Sequence, residues 1–182
     1  MFQGEVRVDD ERHAIASWVG SQNHNWGSQH TDEYAWGQVA GFDDAPGSFL
    51  EVSTARVKVG PLRSPWMTLI VLRYRGEEFA LNSLGTAIRA EGRYGFFAWT
   101  FSSTKGDVSI EGRIEAPHEA FVGLPYDNPP GGRKTCLNTK IARCTLTLRR
   151  KGTAPVTLTT AHRAAFEILT DRNDHRVPVL GV

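Results

Sequence analysis

The sequence predicts an all-β protein, an antiparallel meander closed into a barrel or folded into a sandwich, and three observations carry that prediction. Hydrophobic residues recur with a period of two and almost never with a helical period. Turn-forming clusters punctuate the chain at short intervals: Asp43-Asp44-Ala45-Pro46-Gly47, Arg75-Gly76, Lys105-Gly106-Asp107, Asn128-Pro129-Pro130-Gly131-Gly132 and Lys151-Gly152. A sheet with this many strands has edges that invite aggregation unless it closes on itself.

The clearest single element sets Val108, Ile110, Gly112, Ile114 and Ala116 against Asp107, Ser109, Glu111, Arg113 and Glu115, the mark of a strand with one buried and one wet face. In chain order the other strands are expected at Phe2–Val8, Ala14–Val19, Tyr34–Phe42, Phe49–Val59, Trp66–Tyr74, Glu78–Leu84, Thr86–Tyr94, Phe96–Ser102, Leu137–Arg149 and Ala164–Thr170. Two of them have unusual faces. Tyr34–Phe42 carries Tyr34, Trp36, Gln38, Ala40 and Phe42 on one side and Ala35, Gly37, Val39 and Gly41 on the other. Glycines suit a wall that bends sharply or admits a close backbone, and the aromatic side is expected to line a cavity. Leu137–Arg149 places Asn138 and Lys140 on the same face as Ala142, Cys144, Leu146 and Leu148, so all six are expected to point inward. A buried ammonium costs several kcal/mol without a partner. Asp32, Glu33, Asp127 and Glu167 are the candidate partners; alternatively Lys140 runs its stem along the wall and puts its head in water. Gly123–Lys134 is the longest irregular stretch, either a binding loop that brings Tyr126 and Arg133 to a ligand or a stiff connector.

Composition bounds the function. With 182 residues, 40% apolar and 23% charged, the chain is expected to form one soluble domain over residues 1–182. The net charge is +1 and basic residues are scattered, which disfavours nucleic acid as a partner. Met67–Leu72, broken only by Thr68, falls far short of the roughly 20 apolar residues that span a bilayer, and Met1-Phe2-Gln3-Gly4-Glu5 does not show the basic region followed by an apolar region expected of a secretory leader. The cytoplasm is therefore the expected compartment. Cys136 and Cys144 would stand about 26 Å apart on one strand and are expected as small buried apolar groups. No phosphate loop or Gly-x-Ser-x-Gly elbow occurs, so nucleotide and acyl-transfer chemistry is disfavoured and no cofactor is expected.

The run from Ser21 to Gln38 packs two histidines, two tryptophans and an Asp-Glu pair ahead of an aromatic strand. That density of side-chain chemistry fits the rim or floor of a ligand site better than an ordinary turn. The bland alternative makes Trp18, Trp26 and Trp36 core plugs, with His24 and Asn25 bonding the turn backbone. His24 and His30 with Asp32 or Glu33 are ligand types for zinc or iron, but the five residues between the histidines match no helix face, and no metal is expected. His13, His118, His162 and His175 are expected in solvent.

These residues also carry a family resemblance. The elements Ser17-Trp18-Val19-Gly20, His24-Asn25-Trp26-Gly27 and Tyr34-Ala35-Trp36-Gly37-Gln38 open the chain. With Cys136-Leu137-Asn138-Thr139-Lys140 and Ala164-Ala165-Phe166-Glu167-Ile168 near its end, they resemble the lipocalin-like proteins related to carotenoid 1,2-hydratase (hydroxyneurosporene synthase), the AttH-like proteins and, more distantly, tocopherol cyclase. The resemblance implies a lipocalin-like (calycin) antiparallel β-barrel. Such relatives carry two halves per chain, and this sequence looks like the second; it implies a domain that works alone, self-associates or pairs with a separate lipocalin-like partner. It further implies an isoprenoid- or polyketide-like small hydrophobic molecule that is cyclised, isomerised or hydrated by a proton donor in a dry, aromatic-walled cavity. Asp32 is the preferred acid, His24 its hydrogen-bonding partner and Glu33 the alternative acid. Trp26, Tyr34, Trp36 and Trp99 supply aromatic walls, Gln38 or Asn138 would orient a head group as neutral hydrogen-bonders, Lys140 would bind or stabilise charge, and Tyr126 could touch the ligand from its loop. The same lining suits a carrier that changes nothing, and fold cannot arbitrate between carrier and catalyst.

Overall fold

The computed structural model describes residues 1–22, 31, 33–127 and 132–181, and strands dominate it. In chain order they are β1 (Phe2–Val8), β2 (Glu11–Trp18), β3 (Glu33–Phe42), β4 (Ala45–Arg56), β5 (Lys58–Val59), β6 (Leu62–Arg63), β7 (Met67–Tyr74) and β8 (Glu77–Leu81). After the short helix α1 (Leu84–Arg89) come β9 (Glu91–Tyr94), β10 (Ala98–Lys105), β11 (Val108–Glu115), β12 (Val122–Asp127), β13 (Arg133–Arg150) and β14 (Val156–Thr170). Ten strands make one sheet in the order β8-β7-β4-β3-β14-β13-β11-β10-β9, with β12 laid against the first half of β13. Every pairing is antiparallel, as the alternation in the sequence requires. No helix among the described residues is long and apolar enough to cross a membrane.

The ladder is not hydrogen-bonded between β8 and β9; side chains close the seam. Strands β9 and β10 pack against β7, and α1 lies over both β7 and β10. Lys105 Nζ reaches across to the carbonyl of Ala80 at 2.9 Å. Inside the seam Gly92 rests on a pair of hydroxyls, Thr54 and Thr68, that bond each other at 2.9 Å. A Cβ there would stand 2.0 Å from Thr54 Oγ1 and 2.4 Å from Thr68 Oγ1. Gly92→Ala is therefore expected to destabilise the fold by about 1–3 kcal/mol through overpacking. Urea unfolding checks this, with Gly95→Ala as the control because open space surrounds that glycine.

The interior is filled. Trp99 stacks on Phe166 with ring centroids 6.0 Å apart and leans on Phe101 at 5.3 Å, while Phe121 meets Phe166 edge-on at 5.7 Å. Ile114, Leu137, Leu146 and Ile168 surround them in the same core. Trp99 thus points inward as expected, but Tyr34 and Trp36 do not. In β3 the inward residues are Ala35, Gly37 and Val39, and Gly37 is small enough for Ile114 and Trp99 to press against its backbone. The picture of a hollow centre lined by the rings of β3 is corrected accordingly.

Two bulges explain why alternation misled at these points. Gly41, with φ of 91° and Pro46 O only 2.7 Å from an ideal Cβ, interrupts the β3 register so that Phe42 turns into the core after Ala40 faced out. In β13 the register slips between Thr139 and Cys144. Leu137 and Thr139 point inward before the slip, and Ala142, Cys144, Leu146 and Leu148 after it. Asn138 and Lys140 therefore lie on the face opposite to the apolar stripe they were grouped with. One extra residue reverses every side chain beyond it.

Other expectations also give way. The strand expected at Thr86–Tyr94 is a helix as far as Arg89, entered through a Ser83–Thr86 hydroxyl bond of 2.8 Å and seated by Thr86 and Ala87. The stretch expected to be irregular begins with β12, where Pro125 is tolerated because an edge strand has one face of its ladder free. His175, expected in solvent, is buried: its Nδ1 accepts the Val177 N–H at 3.0 Å and its ring meets Phe96 edge-on. Both cysteines are free and buried, as expected.

Candidate functional site

The outward faces of β3, β14, β13 and β12 assemble one cluster, and the strand register builds it. Trp36 lies opposite Glu167, Glu167 opposite Asn138 and Asn138 opposite Val122, which makes one row across four strands. The next row runs Tyr34, Leu169, Cys136 and Leu124. Tyr126, two residues on from Leu124, shares that face by the period of two. An outward face of a sheet is ordinarily wet, yet here Cys136, Asn138, Leu169 and Gln38 are all buried.

Glu167 is the polar hub. Asn138 Nδ2 donates to its Oε1 at 2.7 Å and Lys140 Nζ to the same oxygen at 2.6 Å. The Lys140 ammonium also lies 5.4 Å from the Trp36 ring centroid, so an indole face already accommodates a positive charge. Trp36 Nε1 in turn donates to Glu51 Oε1 at 3.1 Å, fixing the ring, and Ser21 Oγ donates to Gln38 Oε1. Around Cys136 the thiol hydrogen-bonds with Tyr34, Tyr126 and Asn138. Burial pushes the Cys136 thiol up to about 11 and the Tyr126 phenol up to about 12, and it raises Tyr34 further still. The nearby Glu167 charge pushes each the same way. All three are therefore neutral hydrogen-bonding groups at ordinary pH.

The residues singled out from sequence divide into four groups. Tyr34, Trp36, Gln38, Tyr126, Asn138 and Lys140 lie on this one face. Glu33 is elsewhere, at the core-side end of β3. There both its oxygens accept from Arg56, at 2.7 and 2.8 Å, and Arg63 adds a further donor. Arg56 is stacked 4.8 Å over Trp66, which meets Tyr94 edge-on, so Glu33 belongs to a structural clamp. Trp99 belongs to the core. His24, Trp26 and Asp32 lie outside the described residues, as does His30. Among the described residues no group of three His, Cys, Asp or Glu side chains is placed to hold a metal ion.

Of the candidate partners for Lys140 the structure selects Glu167, but its place as the hub of the face, and Cys136 as a polar residue, are not evident from the sequence. The usable signal was in β14, where Ala165, Glu167 and Leu169 alternate with the buried Ala164, Phe166 and Ile168. A carboxylate between two apolar outward positions marks a face that is not simply wet. A separate groove of about 660 Å3 lies on the outer side of β9, β10, β11 and β13. It is floored by paired charges: Arg113 and Arg143 both donate to Glu115, holding that carboxyl below the ordinary carboxylate range. None of the residues singled out from sequence lines it.

Comparison with known proteins adds a family. The family model described as tocopherol cyclase-like matches residues 1–169, nearly the whole chain. Two curated proteins from strains of Mycobacterium tuberculosis, each described as uncharacterized, are 29% identical over 143 residues, 78% of this chain and 42% of theirs. The chain thus spans about two-fifths of the length of the curated relatives it matches. No solved structure matches it significantly.

Proposed function

Because this chain belongs to the tocopherol cyclase-like family, we propose that it binds an apolar, isoprenoid-like molecule on the outward face of β3, β14, β13 and β12 and closes a ring in it by proton transfer. The observation that carries this reading is the cluster itself. Four separate strands bring three aromatic rings, a carboxylate, an ammonium, two amides and a thiol to one half-buried face, with Lys140 at its exposed margin.

Ring closure of this kind adds a proton to one carbon of a double bond, leaving a cation on the other, which a hydroxyl oxygen attacks. The C–O bond forms as the O–H bond breaks, so one proton enters and one leaves. The face of Trp36 suits the transient cation, because the same quadrupole already holds the Lys140 ammonium. Glu167 is the acceptor for the hydroxyl proton, its carboxylate oriented by Lys140 and Asn138, which both donate to Oε1. The two phenols orient the substrate oxygens as neutral donors, and the buried Cys136 thiol between them holds the phenols in place. Asp32, two residues before Tyr34 in the sequence, remains the proposed acid, with His24 as its partner. Lys140→Met would remove the competing cation over Trp36.

A short-chain prenylated hydroquinone tests the proposal. Wild-type protein is expected to bind it and convert it to an isomer of equal mass, separable by chromatography. Glu167→Gln is expected to lower turnover about 100-fold while the dissociation constant changes little. Equal turnover by both proteins removes Glu167 from the chemistry, and tight binding without conversion by wild type identifies a carrier.

A further inference from the structure

We infer that this chain forms a two-fold dimer through its N-terminal hairpin, with β1 of one copy pairing antiparallel to β1 of a second copy about an axis at Val6. The inference is independent of the proposed chemistry. Strands β1 and β2 form a sheet of their own, apart from the ten-stranded one. Every residue of the two strands is exposed except the half-buried Ile15. A lone two-stranded hairpin is marginal in water, and its free edge is a template for another strand.

The hairpin is not evenly polar. Alternation puts Phe2, Val6 and Val8 on one face; the register sets Ile15 opposite Gly4 and Trp18 opposite Phe2 on that side, with His13 and Glu11 opposite Val6 and Val8. Phe2, Val6, Val8 and Trp18 each keep at least 42% of their surface exposed. The other face of β1 carries Gln3, Glu5 and Arg7. The irregularity in the hairpin is confined to Phe2–Gly4, so Gly4 to Val8 is a straight segment with an outer edge to offer.

That segment is complementary to itself. With Val6 opposite Val6 of a second copy, Glu5 falls opposite the second copy's Arg7 and Arg7 opposite its Glu5, while Gly4 meets Val8. Both ion pairs lie on the polar side, and the apolar faces of the two hairpins join into one surface of a four-stranded sheet. Sliding the register by one residue would put the two apolar faces on opposite sides. Sliding it by two would set Glu5 against Glu5. Strand β2 offers no equal match: an axis at His13 sets Arg12 against Ala14 and Glu11 against Ile15, and an axis between Glu11 and Arg12 pairs those charges but turns the two faces opposite ways. Arg7 now leans on its own turn, through the Asp9 carbonyl and Asp10, both at 2.9 Å, and Arg12 stands 3.5 Å from Glu5. These contacts are exposed and exchange for the new ones without burying a lone charge.

Sedimentation equilibrium of the purified chain tests the inference. Wild type is expected to be a dimer and Val6→Lys a monomer, with unchanged far-UV circular dichroism. Glu5→Arg alone is expected to weaken the dimer about fivefold or more, and Glu5→Arg with Arg7→Glu to restore it, because the exchanged charges still face each other. Directly opposed residues stand about 4.5–5.5 Å apart at Cα, within reach of a disulfide. Val6→Cys is therefore expected to cross-link on mild oxidation, with Cys136 and Cys144 silent because they are buried. A monomeric wild type overturns the inference, as does a dimer that ignores the charge exchange and leaves Val6→Cys uncross-linked.

Discussion

Trp99→Ala will lower the free energy of unfolding by about 3–5 kcal/mol, the range for removing a large aromatic side chain from a packed core. The indole is fully buried, stacked on Phe166 and in contact with Phe101, and its six-membered ring presses on the backbone of Gly37. Its removal leaves a void that Gly37 has no side chain to fill. Trp99→Phe will behave differently. Among the described residues the indole N–H has no hydrogen-bond partner, and a buried donor left unmade costs about 1–3 kcal/mol. Phenylalanine keeps much of the stack and removes that donor, so the loss should stay within about 1.5 kcal/mol. Urea unfolding of the three proteins measures both effects. A cost below about 1 kcal/mol for alanine would mean that the interior is looser than these contacts require.

Much of this architecture was legible because a period of two is a direct image of the pleat. The alternation of Ile110 and Ile114 with Glu111 and Arg113 predicts β11, and the structure pairs it on both sides as a half-buried strand should be. Bulges were not legible. Nothing in Thr139-Lys140-Ile141-Ala142 announces that one residue will drop out of register, since the signal is a tertiary fit to β14 rather than a local preference. In the sequence Gly41 reads as one glycine in a wall; its left-handed φ, which reverses Phe42, is a property of the turn it enters. The α1 segment fails for a related reason: six residues are too few for periodicity to separate helix from strand.

The site shows the same division. Trp36, Tyr34 and Asn138 were recognised by their chemistry, which depends on no register. Their direction was wrong because it depended on one. The inference from glycine was sound in part: Gly37 does mark a close approach, by Ile114 and Trp99 from the core side. It follows that the rings on the opposite face of the same strand point away from the core. Reading small residues as the inward side would have placed Tyr34 and Trp36 correctly and brought Glu167 into view as their cross-strand neighbour.

Raising the pH from 9 toward 12 will unfold this protein, and the cause is a set of acids that folding keeps protonated. Burial pushes Cys144, Tyr94 and Tyr126 up to about 12 and Cys136 up to about 11, and raises Tyr34 beyond those. An unfolded chain gives up the same protons near 9 for thiols and 10 for phenols. In the interval the unfolded state binds fewer protons than the folded one, so stability falls as pH rises. It is fully present below pH 9 and lost by about pH 12, at about 1.4 kcal/mol per group for each pH unit. Tyr126 is partly exposed and contributes less. The remaining groups all act in the same direction against the roughly 5–15 kcal/mol by which a domain is ordinarily stable. Tyrosinate absorbance and circular dichroism should therefore change together. Cys144→Ala should move the midpoint to higher pH by deleting one of these groups from both states. Glu167→Gln should do the same by another route, since its charge helps to raise Tyr34, Tyr126 and Cys136. If tyrosinate appears near pH 10 while the fold persists, the phenols are open to water, and the face that carries the proposed site is not closed enough to exclude solvent from a reacting cation.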